Sequence, residues 1–200
     1  SIIIMDYFEK IVADYASAMK LIDAKKPVYV SQRKNKNIYK PGIGPHSETA
    51  TNKLVVEELQ KKEYIQSIDT EIPYPNSRKK CDIKFNIDDR VIYTEVKMMR
   101  IMGDNNKAND NIFMHIFSPY EKQNSALTDG IKLLKSNFEG EKSILIYGYD
   151  YADYPVEKTI NLFEKATKDF FTISKRYEAI AEKLVHPVHH TCKVYGWLIS

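Results

Sequence analysis

The sequence predicts an α/β domain, and three observations carry that prediction. Stretches with apolar residues at helical spacing alternate with shorter stretches that read as strands. Two alternating runs, Cys81–Ile87 and Arg90–Met98, flank the polar pair Asp88–Asp89, the pattern of a β-hairpin. Ser143–Tyr149 is a continuous apolar run of the kind buried on both faces, and it follows a helical stretch.

The elements follow in order. Residues 5–24 place Phe8, Ile11, Val12, Tyr15, Met19 and Ile22 at helical spacing. Residues 25–46 are a loop rich in Lys, Asn, Pro and Gly, with room for a short strand at Val28–Val30. Ser47 is an N-cap candidate for a helix over 48–63, with Leu54, Val55 and Leu59 inward. A strand over 65–72 ends at Pro73 and Pro75, and the hairpin follows. Residues 101–118 read as loop with a short strand at Ile112–Phe117, and 120–137 as a helix. After the strand Ser143–Tyr149 come a helical stretch over 156–184, with room for a break, and a last strand at Thr191–Ile199.

The 200 residues, 43% of them hydrophobic, are enough for one domain with a real core. A net charge of +3 excludes a broadly basic protein, so any nucleic-acid binding has to come from local patches. Cys81 and Cys192 form no disulfide framework, which makes a reducing cytoplasm the expected compartment. No apolar stretch approaches the roughly 18 residues that span a membrane. The opening Ser-Ile-Ile-Ile-Met is too short for a signal-peptide core. No repeat or low-complexity tract stands out.

The hairpin carries the chemistry. With Asp88–Asp89 as the turn, Ile87 faces Arg90, Asn86 faces Val91, and the ladder brings Asp82 opposite Glu95. Lys97 lies two residues on and projects from the same face. That face also carries Lys84, Asn86, Val91 and Tyr93. The reverse face carries Cys81, Ile83, Phe85, Ile87, Ile92, Val96 and Met98 and can be buried. A slip of one residue would put the charges in the core, so the pattern specifies its register. Opposed like charges destabilise a sheet, and a divalent cation removes that cost. Carboxylate oxygens suit Mg²⁺, which keeps several waters and takes substrate phosphates. A lysine beside it adds positive charge where a phosphodiester transition state gains negative charge. The plainer reading is a solvated face of an edge hairpin with cross-strand charge pairs. Acid-x-lysine also occurs at Asp23–Lys25 and Asp82–Lys84, so the triplet alone says little.

Asp82 together with Glu95-Val96-Lys97 resembles the PD-(D/E)xK nuclease superfamily, which includes many type II restriction endonucleases and DNA-repair nucleases. The apolar Val96 fits the pattern; Cys81 stands where the proline would be. The resemblance implies a restriction-endonuclease-like three-layer α/β/α core, αβββαβ, around a mixed central sheet, with extra N- and C-terminal helices. It covers roughly residues 47–150 of a single nuclease domain, 1–200. The helix and basic loop of 1–46 and the helix plus strand of 156–200 are additions. It implies a metal-dependent endonuclease acting on double-stranded DNA, with Mg²⁺ as cofactor and Mn²⁺ able to substitute. Asp82 and Glu95 would bind the metal and Lys97 would assist the attacking water. Glu48, at the start of its helix, would join the metal site; as an alternative it simply complements the helix dipole. A type II restriction endonuclease acting as a homodimer is the leading expectation, dimerisation resting on the resemblance and on the two-fold symmetry of duplex sites. The alternatives are a repair, recombination or phage nuclease of the same fold, and a non-catalytic nucleic-acid-binding protein on an inactive nuclease fold.

Arg33, Lys34 and Lys36 sit in a basic loop with Gln32 and Asn35 that could contact DNA, and Arg78, Lys79 and Lys80 precede Asp82. Solvated loops are the plain alternative for both. The loop Gly103–Asn111 follows the Glu95–Lys97 strand, where substrate contacts are common, but it lacks the glutamate of a calcium loop. Gln123 and Asn124 could order the site, or Asn124 or Ser125 could cap a helix. His186, His189, His190 and Cys192 are competent zinc ligands. Their neighbours point in opposite directions, so this spacing alone does not close a four-ligand site.

Overall fold

The computed structural model describes residues 6–109 and 113–200. The opening Ser1–Met5 and the loop residues Asp110, Asn111 and Ile112 lie outside them.

Helix α1 spans Tyr7–Ala24, and its N-terminus is capped by Asp6, which accepts the N–H of Phe8 at 2.8 Å. Its stripe of Phe8, Ile11, Val12, Tyr15, Met19 and Ile22 is buried, as the spacing requires. Helix α2, Glu48–Leu59, starts at the predicted cap: Ser47 accepts the N–H of Ala50 at 3.1 Å. Three strands then form a meander, β1 (Ser67–Pro73), β2 (Lys80–Ile87) and β3 (Arg90–Met99). After a single turn of helix, α3 (Met114–Phe117), and a 3₁₀ turn at Glu121–Gln123, helix α4 (Ala126–Lys135) crosses to β4 (Glu141–Tyr149). Helix α5 (Val156–Thr167) and strands β5 (Tyr177–Ala181) and β6 (Cys192–Ile199) complete the chain.

The six strands form one mixed sheet in the order β1-β2-β3-β4-β6-β5. Among the described strands only β3 and β4 pair in parallel, and α4 makes the crossover between them. The fold is thus α/β with helices on both faces. Strand β4 divides its side chains between two cores: Leu145 and Tyr147 pack with α1 and α2, Ile144 and Ile146 with α3, α4 and α5. Helix α1 lies close on β6; a Cβ at Gly196 would fall 2.6 Å from Val12. Cys81 and Cys192 are free and buried. No described helix is long and apolar enough to cross a membrane.

Four expectations are corrected. The stretch 156–184 is helical only to Thr167, and Tyr177–Ala181 is an edge strand on β6. Ala179 and Ala181 are good helix formers, but pairing with β6 overrides that preference. The described part of Ile112–Phe117 is not a strand: Ile116 and Phe117 both donate to the carbonyl of Phe113, closing one helical turn that buries Ile116. Helix α4 begins at Ala126 rather than 120, because Asn124 adopts a left-handed conformation at φ 49°. Val28–Val30 forms no strand beyond a single bridge from Val30 to Ile38.

Candidate functional site

The β2–β3 hairpin has the register read from the sequence, with Ile87 opposite Arg90, Phe85 opposite Ile92 and Ile83 opposite Thr94. The ladder bonds stop there, one step before Asp82 and Glu95. In their place the Asp82 carboxylate reaches across and accepts the N–H of Val96 at 2.7 Å. This interrupts the alternation of β2. Ile83 packs in the core under α1 and α2, but Cys81 packs in the opposite core, beside Tyr74. The expectation that Cys81 and Ile83 share a face is therefore corrected, and the break falls on Asp82. Glu71, in the neighbouring strand, sits at φ 53°, so both strands depart from regular geometry beside it.

Helix α2 delivers Glu48 to the same place. Its Oε2 accepts the N–H of Met98 at 2.7 Å, so carboxylates from β2 and α2 hold the backbone on either side of Lys97. Glu48 and Asp82 line one cavity of about 420 Å³ together with Val96.

Helix α4 supplies groups that the sequence did not single out. Lys97 Nζ lies 3.1 Å from Asp129 and donates to the carbonyl of Asn124 at 2.8 Å. Lys132 lies 3.3 Å from Asp129 and 3.7 Å from Glu95. Tyr74, just after β1, donates its hydroxyl to Glu95 at 2.5 Å. The signal was present in the helix itself: Asp129 lies on the stripe with Ala126, Gly130 and Leu133 that faces inward. A charge on a buried stripe demands a partner. Of the residues proposed to order the site, Asn124 does so through its backbone, while Ser125 caps α4 by accepting the N–H of Thr128.

Burial sets the electrostatics. It pushes the carboxyl groups of Glu48 and Asp82 above the ordinary range, against the pull of Lys97 and of the backbone N–H each accepts. Glu95 is pushed up furthest, by burial and by the charges of Asp129 and Asp82. Burial works to lower the Lys97 ammonium, but Asp129 and Glu48 outweigh it and hold the group charged. Four acidic and two basic side chains thus gather about β3, Glu95 and Asp129 buried and the others half-buried, with acids outnumbering bases.

The donor set fits a hard cation. Asp82 Oδ1, Glu48 Oε1 and Glu95 Oε2 accept no N–H or hydroxyl among the described residues. Mg²⁺ commonly takes one or two carboxylates and fills its shell with water, so two of these oxygens suffice. They do not form a tight three-ligand set. Among the described residues the one group of three whose ligand atoms lie within 4.8 Å of one another is Asp104, His186 and His189. His190 is exposed and Cys192 lies in the core against Met19, so the histidine–cysteine quartet is not assembled.

Arg33, Lys34 and Lys36 are exposed, and Arg33 lines a cleft of about 830 Å³ with Arg100, Asp104 and Asn105. Lys79 reaches Asn124 at 3.2 Å and lines a cavity of about 590 Å³ with Asp129 and Lys132; Arg78 and Lys80 are exposed. Comparison with protein families, with curated proteins and with solved structures finds no match to this chain.

Proposed function

We propose that the chain is a Mg²⁺-dependent nuclease that hydrolyses DNA phosphodiester bonds. The observation that carries this reading is the meeting of Asp82, Glu95 and Glu48 around the strand that bears Lys97. Further support comes from topology: a helix, a three-strand antiparallel meander, a crossover helix and a parallel fourth strand follow the αβββαβ order of the resembled superfamily. Fold order alone would not carry a function.

In this reading Asp82 and Glu95 bind the metal and Glu48 completes the site or positions β3. The bound cation lowers the pKa of a water and stabilises charge on the phosphate. Lys97, held at its ammonium by Asp129 and the Asn124 carbonyl, would offer a fixed positive charge to the phosphate. Arg33, Lys34, Lys36, Arg78, Lys79 and Lys80 contact the DNA backbone. A type II restriction endonuclease acting as a homodimer on a two-fold duplex site is the form of the proposal. Mn²⁺ substitutes for Mg²⁺.

The test is cleavage of long unmethylated duplex DNA with and without Mg²⁺. Discrete fragments support a sequence-specific endonuclease, and a smear or end-shortening moves the role to repair or processing. A second reading, a nucleic-acid-binding protein on an inactive nuclease fold, is favoured by two observations. Lys97 and Glu95 are each already engaged by protein partners, and the acids form no compact three-ligand set. It predicts salt-sensitive DNA binding with no cleavage in either metal.

A further inference from the structure

We propose that Asp104, His186 and His189 form a second cation site, for Zn²⁺, built where three loops meet and independent of the carboxylate cluster. Asp104 comes from the loop after β3, and the two histidines from the segment between β5 and β6. Both imidazoles are buried, His186 to 1% and His189 to 0% exposure. They stack with centroids 4.7 Å apart. The ligand atoms of all three residues lie within 4.8 Å of one another. A tetrahedral zinc needs its ligand atoms about 3.3 Å apart, so the set has to contract slightly rather than assemble.

The surroundings suit a metal. His189 has Nε2 2.5 Å from Asp104 Oδ1 and Nδ1 2.7 Å from the hydroxyl of Tyr151. Metal-binding histidines commonly use one nitrogen for the ion and the other for an orienting partner, and Tyr151 stands in that second position. Without a metal, His189 is satisfied by Tyr151 and Asp104. His186 accepts the N–H groups of Val188 and His189 at Nδ1, and no side chain among the described residues engages its Nε2. Zinc uptake either turns that ring over, freeing Nδ1, or binds at Nε2 with the ring proton moved to Nδ1; both routes give up the two long hydrogen bonds, 3.1 and 3.3 Å, for a metal bond.

Two imidazoles and one carboxylate are the mixed nitrogen and oxygen donors that zinc accepts, with a fourth position left for water. Asp104 lines the cleft that holds Arg33 and Arg100, which gives the ion a way in. The consequence is mechanical. A Cβ at Gly44 would fall 2.4 Å from His189 Cβ, so the loop leading to Ser47 and Glu48 packs directly on the site. A zinc ion there ties the loop after β3 to the segment before β6, on which the loop before α2 packs.

The experiment is a Zn²⁺ titration of the full chain, cleared of metal by a chelator, followed by calorimetry and by the visible absorption of Co²⁺ as a probe. Wild type takes up one equivalent per chain and its melting temperature rises. Asp104→Asn and His186→Gln, checked for folding by circular dichroism, lose at least about tenfold in affinity, and Tyr151→Phe loses about 10- to 100-fold. Glu95→Gln binds zinc as wild type does. No stoichiometric uptake by wild type at micromolar Zn²⁺, equal uptake by the Asp104 and His186 variants, or loss of uptake in Glu95→Gln would each overturn the proposal.

Discussion

The carboxylates between α2, β2, β3 and α4 sit among lysines and are pushed up, while the imidazoles beside Asp104 sit among tyrosines and are pushed down. Burial is the leading cause in both regions, and in both it favours the neutral form. The chemical result differs because a neutral acid holds a proton and a neutral base offers a lone pair. At the carboxylates a cation competes with protons that burial favours, so hard-metal binding there strengthens as pH rises. At the imidazoles the neutral form is already a ligand, and a borderline metal suits it at neutral pH. The molecule thus carries two polar clusters that different ions would suit.

The largest predicted effect separates the two by activity. Asp82→Asn removes a metal-binding charge and lowers Mg²⁺-dependent cleavage by about a thousandfold or more, roughly 4 kcal/mol of transition-state stabilisation. Retained cleavage in that variant would remove Asp82 from the site. Next comes stability in the metal-free protein. Glu48, Asp82 and Glu95 have raised folded-state values, so their contribution is present at low pH and is lost as pH rises through those values. His189 has a lowered value, so its contribution is present above the ordinary histidine range and is lost as pH falls from there towards about 4, on the order of 3 kcal/mol. Melting curves across pH should show both arms. Glu95→Gln flattens the high-pH arm alone, and Mg²⁺ restores stability more strongly at higher pH; identical profiles for variant and wild type would break the comparison.

A smaller effect tests how Lys97 is held. Asp129→Asn loosens an ammonium that has Asp129 at 3.1 Å and the Asn124 carbonyl at 2.8 Å. Turnover should fall about 10- to 100-fold, the worth of a charged hydrogen bond, with little change in KM. A change in KM alone would make Asp129 a binding residue. The smallest effect belongs to the exposed loop. Lys34→Ala should reduce the salt dependence of DNA binding by about one unit of slope and leave turnover unchanged.

The legible parts of this molecule were those set by local rules. Ser47 announced its helix, and the alternation around Asp88–Asp89 specified a register that the hairpin adopts. The break at Asp82 was not legible, because it depends on a carboxylate that bonds the strand opposite instead of extending the ladder. Asp129 could be read as a charge on an inward stripe, but its partners, and the roles of Tyr74 and Lys132, were hidden for another reason. Their meeting with Glu95 and Lys97 requires knowing which side of the sheet α4 covers. The edge strand Tyr177–Ala181 reads as helix in isolation and is a strand only because β6 offers it an edge. Asp104 and His189 lie 85 positions apart, and no local pattern pairs them.

The most direct test of the nuclease reading is a paired assay of wild type and Lys97→Ala on long unmethylated duplex DNA with Mg²⁺, repeated with Mn²⁺. The account predicts cleavage by wild type that depends on the metal and falls by about 10²- to 10⁴-fold in the variant, while both proteins melt as folded chains. Cleavage that survives in Lys97→Ala, or a folded wild type that cuts in neither metal, would contradict it.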